Sequence, residues 1–267
     1  MQASLPMYDL PALKEQTDGW WAGLAKALRA EGLQGVPDRL TRGGDLAALW
    51  QAPDLLFSQT CGYPLTRALK GQVTLLATPV YDCPGCQGGH YHSEILVRAD
   101  SAIRGPEDLR GTRAVVNELG SQSGYNALRA VIAPLAGGQG FFASVARSGG
   151  HVHSMAAVAG DTADVCAVDT VTYHLLAKAQ PEAVAGLRRL MASPSAPALP
   201  YITRLDIPAA DLERLRSGLR RVFDDPSLRD LRSALLLADV VVMPVAAYDR
   251  IVDMETEAEA LGYAELL

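Results

Sequence analysis

Cysteine is scarce in this chain of 267 residues: there are four, Cys61, Cys83, Cys86 and Cys166. That is too few for a fold built on disulfides. Long apolar runs are missing too. The longest candidate, 234–245, is interrupted by Asp239 and falls well short of the roughly 20 residues that span a bilayer. Positive charge is not in excess: 24 Lys and Arg stand against 30 Asp and Glu, a net charge of −6, and the basic residues are scattered singly or in pairs such as Arg188-Arg189 and Arg220-Arg221. Neither a membrane span nor a nucleic-acid partner is expected. No internal repeat of about 20 to 50 residues is visible, which excludes a solenoid. The opening residues MQASLP carry no basic segment and no apolar stretch of about 7 to 15 residues, so no secretory signal is read. The expected location is cytoplasmic as written, or periplasmic or membrane-associated if a signal has been removed.

What is present is the composition of an ordinary soluble globular protein, 49% hydrophobic and 20% charged. The length suits one large domain or two lobes of about 120 residues, each able to bury a core. Short apolar strands alternate with amphipathic helices. Ala3 to Tyr8 reads as a strand, followed by a helix capped at Thr17 or Asp18 that carries Trp20, Leu24, Ala27 and Leu28 on one face. Further strands are predicted at 54–58, 73–81, 93–98, 113–117, 141–146 and 164–168, with helices at 62–69, 123–132, 151–159 and 170–179. This grammar predicts mainly parallel sheets with helices on both faces. The Pro-rich stretch 193–200 reads as an extended crossover between lobes, and three helices follow, over 208–223, 227–238 and 245–261.

The segment Asn117-Glu118-Leu119-Gly120-Ser121-Gln122-Ser123-Gly124-Tyr125 lies between a strand and a helix. A small polar turn there aims unpaired first-turn amides at an anion, and the helix dipole adds about half a positive charge. Two hydroxyls and the Gln122 amide are further neutral donors; the plainer reading is that Ser121 or Ser123 only caps the helix. The flanking residues do not fit G-x-S-x-G, so a serine-hydrolase elbow is disfavoured. A second cluster, Ser148-Gly149-Gly150-His151-Val152-His153, opens another helix, and of its two histidines at most one can face a given ligand. Asp169, after the strand DVCAV, and the turn from Ser58 to Tyr63 also sit where ligands gather in open sheets, although Asp169 also reads as a plain N-cap.

Cys83-Pro84-Gly85-Cys86 with His90 and His92 has part of a zinc spacing but no second cysteine pair. A Cys61–Cys86 disulfide and reduced structural thiols are the competing readings. No cofactor and no metal are expected.

The order YHSEILVRADSAIRGPEDLRGTRAVVNELGSQSGYNALR, followed by GGHVHSMAAVAGDTADVCAVD, resembles the phosphate/phosphite/phosphonate substrate-binding proteins of ABC transporters over roughly residues 54–223. The resemblance implies a two-lobed α/β fold of the type 2 periplasmic-binding-protein kind, each lobe a mainly parallel sheet flanked by helices, with the ligand cleft at the hinge. The lobes implied are 1–92 with 201–267, and 93–200. It also implies a small anionic ligand, an ABC permease as partner, and ligand contacts from Ser121, Gln122, Ser123 and His151, with Asp169 and Tyr91 near the cleft and Tyr63 from the first lobe. Gln122 stands where that family usually has Thr. The alternative is a cytoplasmic enzyme on the same fold with His151 as general base on a small carboxylate or phosphorylated metabolite, and a third reading is a redox or metal sensor through Cys83 and Cys86.

Overall fold

The computed structural model describes residues 1–267. Its strands are β1 (Gln2–Ala3), β2 (Leu55–Gln59), β3 (Val73–Tyr81), β4 (His90–Tyr91), β5 (Ser93–Arg98), β6 (Arg113–Val116), β7 (Ser144–Arg147), β8 (Val165–Asp169), β9 (Leu187–Ala192), β10 (Ala196–Pro197), β11 (Tyr201–Arg204) and β12 (Leu237–Val241). The α-helices are α1 (Lys14–Ala30), α2 (Leu46–Trp50), α3 (Gly62–Thr66), α4 (Ala127–Ala136), α5 (His151–Ala159), α6 (Thr170–Ala179), α7 (Ala209–Asp224), α8 (Arg229–Ala234) and α9 (Asp249–Ala260). The chain forms two compact units, one of 1–82, 86–89 and 197–247, the other of 83–85, 90–196 and 248–267.

The first unit is built on the sheet β1-β2-β11-β3-β12. β1 runs parallel to β2, whereas β11 is antiparallel to β2 and β3, and β12 is antiparallel to β3. The sheet is therefore mixed where alternation alone predicts mainly parallel pairing. The reason is connectivity: β11 enters as the chain returns from the second unit, so it runs against the strands it separates. The apolar stripe of α1 packs here as its spacing predicts, with Trp20, Trp21, Leu24 and Leu28 buried. The Trp20 and Phe223 rings meet edge to face at 5.3 Å, and the Phe57 and Tyr201 rings lie 4.9 Å apart. α1 begins at Lys14, earlier than the Thr17 or Asp18 cap expected, because a 3-10 turn at Pro11–Leu13 leads straight into it. Thr17 instead donates back to the Leu13 carbonyl. Close approach of α7 to α1 depends on Gly218, where a Cβ would lie 2.7 Å from Leu28 Cδ2.

The second unit holds the sheet β7-β6-β8-β5-β9. β6 is parallel to β7 and β8, and β5 is antiparallel to β8 and β9, so this sheet is also mixed. Its core gathers Ile95, Val97, Val116, Leu128, Ile132 and Phe141 with Ala258, Tyr263 and Leu266 from the end of the chain. That last group corrects the expected division, which gave 201–267 whole to the first lobe. Residues 248–267 pack in the second unit because the apolar face of α9, with Ile251, Met254 and Ala258 buried, lies against α4. The expected helix over 227–238 is also shorter. It stops at Ala234, Leu236 takes a left-handed conformation (φ 55°), and the apolar run continues as β12.

Candidate functional site

Both polar turns singled out above lie at one edge of the second unit's sheet. β6, β7 and β8 run in one direction, so the residues that follow each of them leave at the carboxyl edge, where open α/β sheets bind ligands. β5 runs the other way and enters there, pairing Ser93 with Asp169.

After β6, Ser121 takes an extended conformation (φ −100°, ψ 131°) and its Oγ accepts the Gly124 N–H at 3.0 Å. The Asn126 N–H donates to the Ser121 carbonyl, five residues back, at 3.0 Å. Gln122–Asn126 is therefore one wide π-helical turn that runs on into α4. The N–H groups of Gln122 and Ser123 are first-turn donors, which a helix leaves without intrahelical acceptors. Glycine at 124 makes room for the Asn117 side chain, since a Cβ there would lie 1.8 Å from Asn117 Oδ1 and force it aside. That oxygen is itself buried without a hydrogen-bond partner.

After β7, the Ser148 and Gly149 N–H groups donate to the Val116 and Asn117 carbonyls, both at 2.9 Å, and carry the start of α5 alongside the Ser121 turn. The Ser148 hydroxyl sits 2.7 Å from Ser154 Oγ and pins the first turn of α5. His151 opens that helix, and its Nε2 lies 2.9 Å from Ser123 Oγ. Burial drives the imidazole pKa from 6.5 to about 4, only partly offset by the nearby Ala167 backbone. The ring is neutral at pH 7. His153, two residues on, is exposed.

The other residues singled out fall as follows. Asp169 ends β8 and its Oδ1 caps α6 by accepting the Thr172 N–H at 3.0 Å. Tyr91 is fully buried in β4, and its carbonyl accepts from Ser195 Oγ at 3.1 Å. Tyr63 belongs to the first unit, on α3, with the Arg67 guanidinium 5.5 Å from its ring centroid.

Gln122 departs from the expectation that its amide supplies a donor at the turn. Its side chain points inward, with Nε2 3.3 Å from Met254 Sδ and Oε1 accepting from Asn126 Nδ2 at 2.7 Å. Asn126 also donates to the Ile251 carbonyl, and Arg129 joins the Asn126 amide oxygen at 2.8 Å to Glu255 at 3.3 Å. The turn thus rests on a buried polar network shared with α9.

A further cluster was not legible in advance. Glu94 is buried at the same edge, accepting from the Thr170 hydroxyl at 2.9 Å, with His92 Nε2 at 3.0 Å and Arg189 Nε at 2.8 Å. Burial pushes its pKa up, but the bonds from His92 and Thr170 and the Arg189 charge outweigh that and hold the carboxyl below its ordinary range. The only sequence signal was a Glu inside an otherwise apolar strand. All four cysteines are thiols, so no Cys61–Cys86 bond forms. No three His, Cys, Asp or Glu side chains gather into a metal-ligand set.

The family model described as the periplasmic substrate-binding protein of phosphonate ABC transporters matches residues 5–246. The chain belongs to that family. Membership brings a small-molecule ligand and a transporter permease as partner, in a family that works in the periplasm. No helix is long and apolar enough to cross a membrane. Solved structures agree in fold. PhnD1 from Prochlorococcus marinus, in complex with methylphosphonate, is 14% identical, with a TM-score of 0.79 over 96% of this chain and 97% of that one. The binding component PA3383 of a Pseudomonas aeruginosa ABC phosphonate transporter is 17% identical, with a TM-score of 0.78 over 98% and 87%. XAC2383 from Xanthomonas citri, bound to ATP, is 16% identical, with a TM-score of 0.67 over 97% of each chain. No curated protein matches the sequence.

Proposed function

We propose that this family member captures a phosphonate, a phosphate-like oxyanion or a related small acid, and that the Ser121–Ser123 turn and His151 hold the oxyanion group. The observation that carries the reading is the 2.9 Å contact between Ser123 Oγ and His151 Nε2, at the carboxyl edge of the second unit's parallel strands. Asp169, Tyr91 and Tyr63 are proposed as further contacts. Gln122 acts through its backbone N–H, because its amide is engaged beneath the turn.

Neutral donors suffice for such a guest. Hydroxyls and aligned amides replace its water shell without a counter-charge, as in backbone anion nests. The flanking charges, Arg147 and Glu118, compensate one another at 3.4 Å. The His151 pKa of about 4 also favours binding over catalysis, since a ring so reluctant to take a proton is a weak general base near neutrality. The ligand of PhnD1 makes methylphosphonate the first probe.

Thermal unfolding against methylphosphonate, phosphite, phosphate, methanesulfonate and small carboxylates tests the reading. Ligand at about 100 times its Kd adds about 2.7 kcal/mol and raises Tm. Ser123→Ala should weaken binding by about 1 to 3 kcal/mol, the range for a charge-assisted hydrogen bond. No shift with any of these compounds overturns the reading.

A further inference from the structure

The oxyanion site leaves the turn Cys83-Pro84-Gly85-Cys86 without a role. We propose that Cys83 and Cys86 are a reversible redox site, a dithiol that a disulfide-bearing oxidant closes into a four-residue loop bridged by one disulfide.

The backbone sets the spacing. Pro84 and Gly85 are the central pair of a tight turn, and Gly85 has φ 80°. Proline fixes its own φ at about −65°, and a left-handed glycine after it makes the turn type II. Such a turn holds its first and fourth Cα atoms within about 7 Å, and a disulfide spans about 4.4 to 6.8 Å between Cα atoms. Cys83 and Cys86 are those first and fourth residues, so four consecutive positions of the chain already meet the spacing that a bond requires.

Packing holds the turn in that shape. A Cβ at 85 would lie 2.2 Å from Cε1 and 2.6 Å from Nδ1 of His92, so the imidazole rests directly on the glycine. Nε2 of the ring stands 3.0 Å from Glu94 Oε1, which also accepts from the Thr170 hydroxyl at 2.9 Å, while Arg189 Nε holds the other carboxylate oxygen at 2.8 Å. Glycine at 85 is thus required twice, for its positive φ and for the ring that lies on it.

The two thiols differ in access, since Cys83 is buried and Cys86 is partly exposed. Cys86, as thiolate, attacks one sulfur of the oxidant, whose S–S bond breaks and whose departing sulfur takes up the Cys86 proton. Cys83 then attacks Cys86 Sγ in the mixed disulfide and expels the second thiol with the Cys83 proton. One S–S bond forms and one breaks, and two electrons and two protons pass to the oxidant, which leaves as two thiols. A reducing thiol reaches the bond at Cys86 and reverses the steps. No helix starts at the turn, so the pair lacks the helix N-terminus that activates the thiols of exchange catalysts, and it receives oxidising equivalents rather than passing them on. The periplasm, where this family works, is a compartment in which such bonds form and persist.

Oxidation of the full reduced chain by glutathione disulfide, followed by alkylation in urea, tryptic digestion and mass spectrometry, tests the proposal. Trypsin cleaves after Arg42, Arg67, Lys70 and Arg98, so Cys83 and Cys86 share the peptide 71–98 and Cys61 lies in 43–67. The expected product is peptide 71–98 on its own, without an alkylated cysteine and about 2 Da lighter than its dithiol form. The bond should form equally in Cys61→Ser, and Cys83→Ser should stop at a glutathione adduct on Cys86. Dithiothreitol should restore both thiols while circular dichroism shows the chain still folded. Peptides 43–67 and 71–98 joined to one another assign the bond to Cys61 and overturn the proposal. Full alkylation of peptide 71–98 at every ratio of glutathione disulfide to glutathione overturns it as well. A bond that yields to dithiothreitol only after unfolding makes the pair a structural disulfide and overturns its reversibility.

Discussion

Acid should destabilise the folded chain through His151, and replacing the ring by glutamine should remove that part of the response. In the unfolded chain the imidazole takes up a proton as pH falls through its ordinary 6.5, whereas in the folded chain burial delays protonation until about 4. Between those values protons bind the unfolded state more readily, so lowering the pH favours unfolding. The contribution of the neutral ring is complete above the unfolded pKa and is lost as pH falls toward the folded one. With one pKa unit equivalent to about 1.4 kcal/mol, the loss is about 2 kcal/mol between about pH 7 and about pH 5, and about 3 kcal/mol by about pH 4. Urea unfolding of the native chain and of His151→Gln, followed by circular dichroism at the two upper pH values, reads this difference. Carboxylates titrate in both proteins and cancel. The substitution also loses the Ser123 contact, which lowers stability at both pH values and cancels as well. If the two chains lose stability in parallel, to within about 0.5 kcal/mol, the ring is not held neutral by burial.

Three substitutions test the packing that holds the edge in place. Arg129→Leu breaks the buried link from the Asn126 amide to Glu255 and should cost about 3 to 5 kcal/mol, with the added Glu255→Leu change restoring part of the loss in a double-mutant cycle measured by urea unfolding. Gly218→Ala puts a methyl group against Leu28 and should prise α7 from α1, lowering stability by about 1 to 3 kcal/mol, and a smaller residue at position 28 should recover it. Glu94→Gln removes a buried carboxylate that receives Thr170 and pairs with His92 and Arg189, a loss of about 1.5 to 3 kcal/mol at neutral pH. Because the folded carboxyl titrates below its ordinary 4.5, the deficit relative to the native chain should shrink as pH falls below that value, as urea unfolding at neutral and acid pH would show.

Elements whose signals are local were legible in the sequence. Val73–Tyr81, Ser93–Arg98, His151–Ala159 and Thr170–Ala179 fall on the residues that β-formers, glycine starts and a terminal proline mark out. The sequence does not announce β9, because Arg188 and Arg189 interrupt its apolar pattern, as suits a strand at the edge of a sheet. The helix expected over 227–238 overruns into the first two residues of β12, because the turn at Leu236 uses a left-handed leucine, where no glycine, asparagine or proline announces a break. Pairing direction was out of reach for another reason, since β11 runs antiparallel as a consequence of where the chain has been rather than of its own four residues.

The same division between local and distant causes runs through the edge that carries Ser123 and His151. The Ser-x-Ser-Gly spacing and the glycines before His151 are local, and they bring turn and ring to the same edge. The fate of Gln122 is not local, because its partners Met254 and Asn126 are set by where α9 packs, 132 residues along the chain in the case of Met254. An amide at that position reads as a donor for the ligand when only its neighbours are known. Given α9, the same amide becomes part of the floor, and the amides and hydroxyls of the turn rest on a buried network beneath them. Preorganisation of that kind saves the cost of ordering a flexible loop at the moment of binding. Changes at Arg129 or Glu255, in the second unit but away from Ser123 and His151, should therefore weaken oxyanion affinity as well as stability.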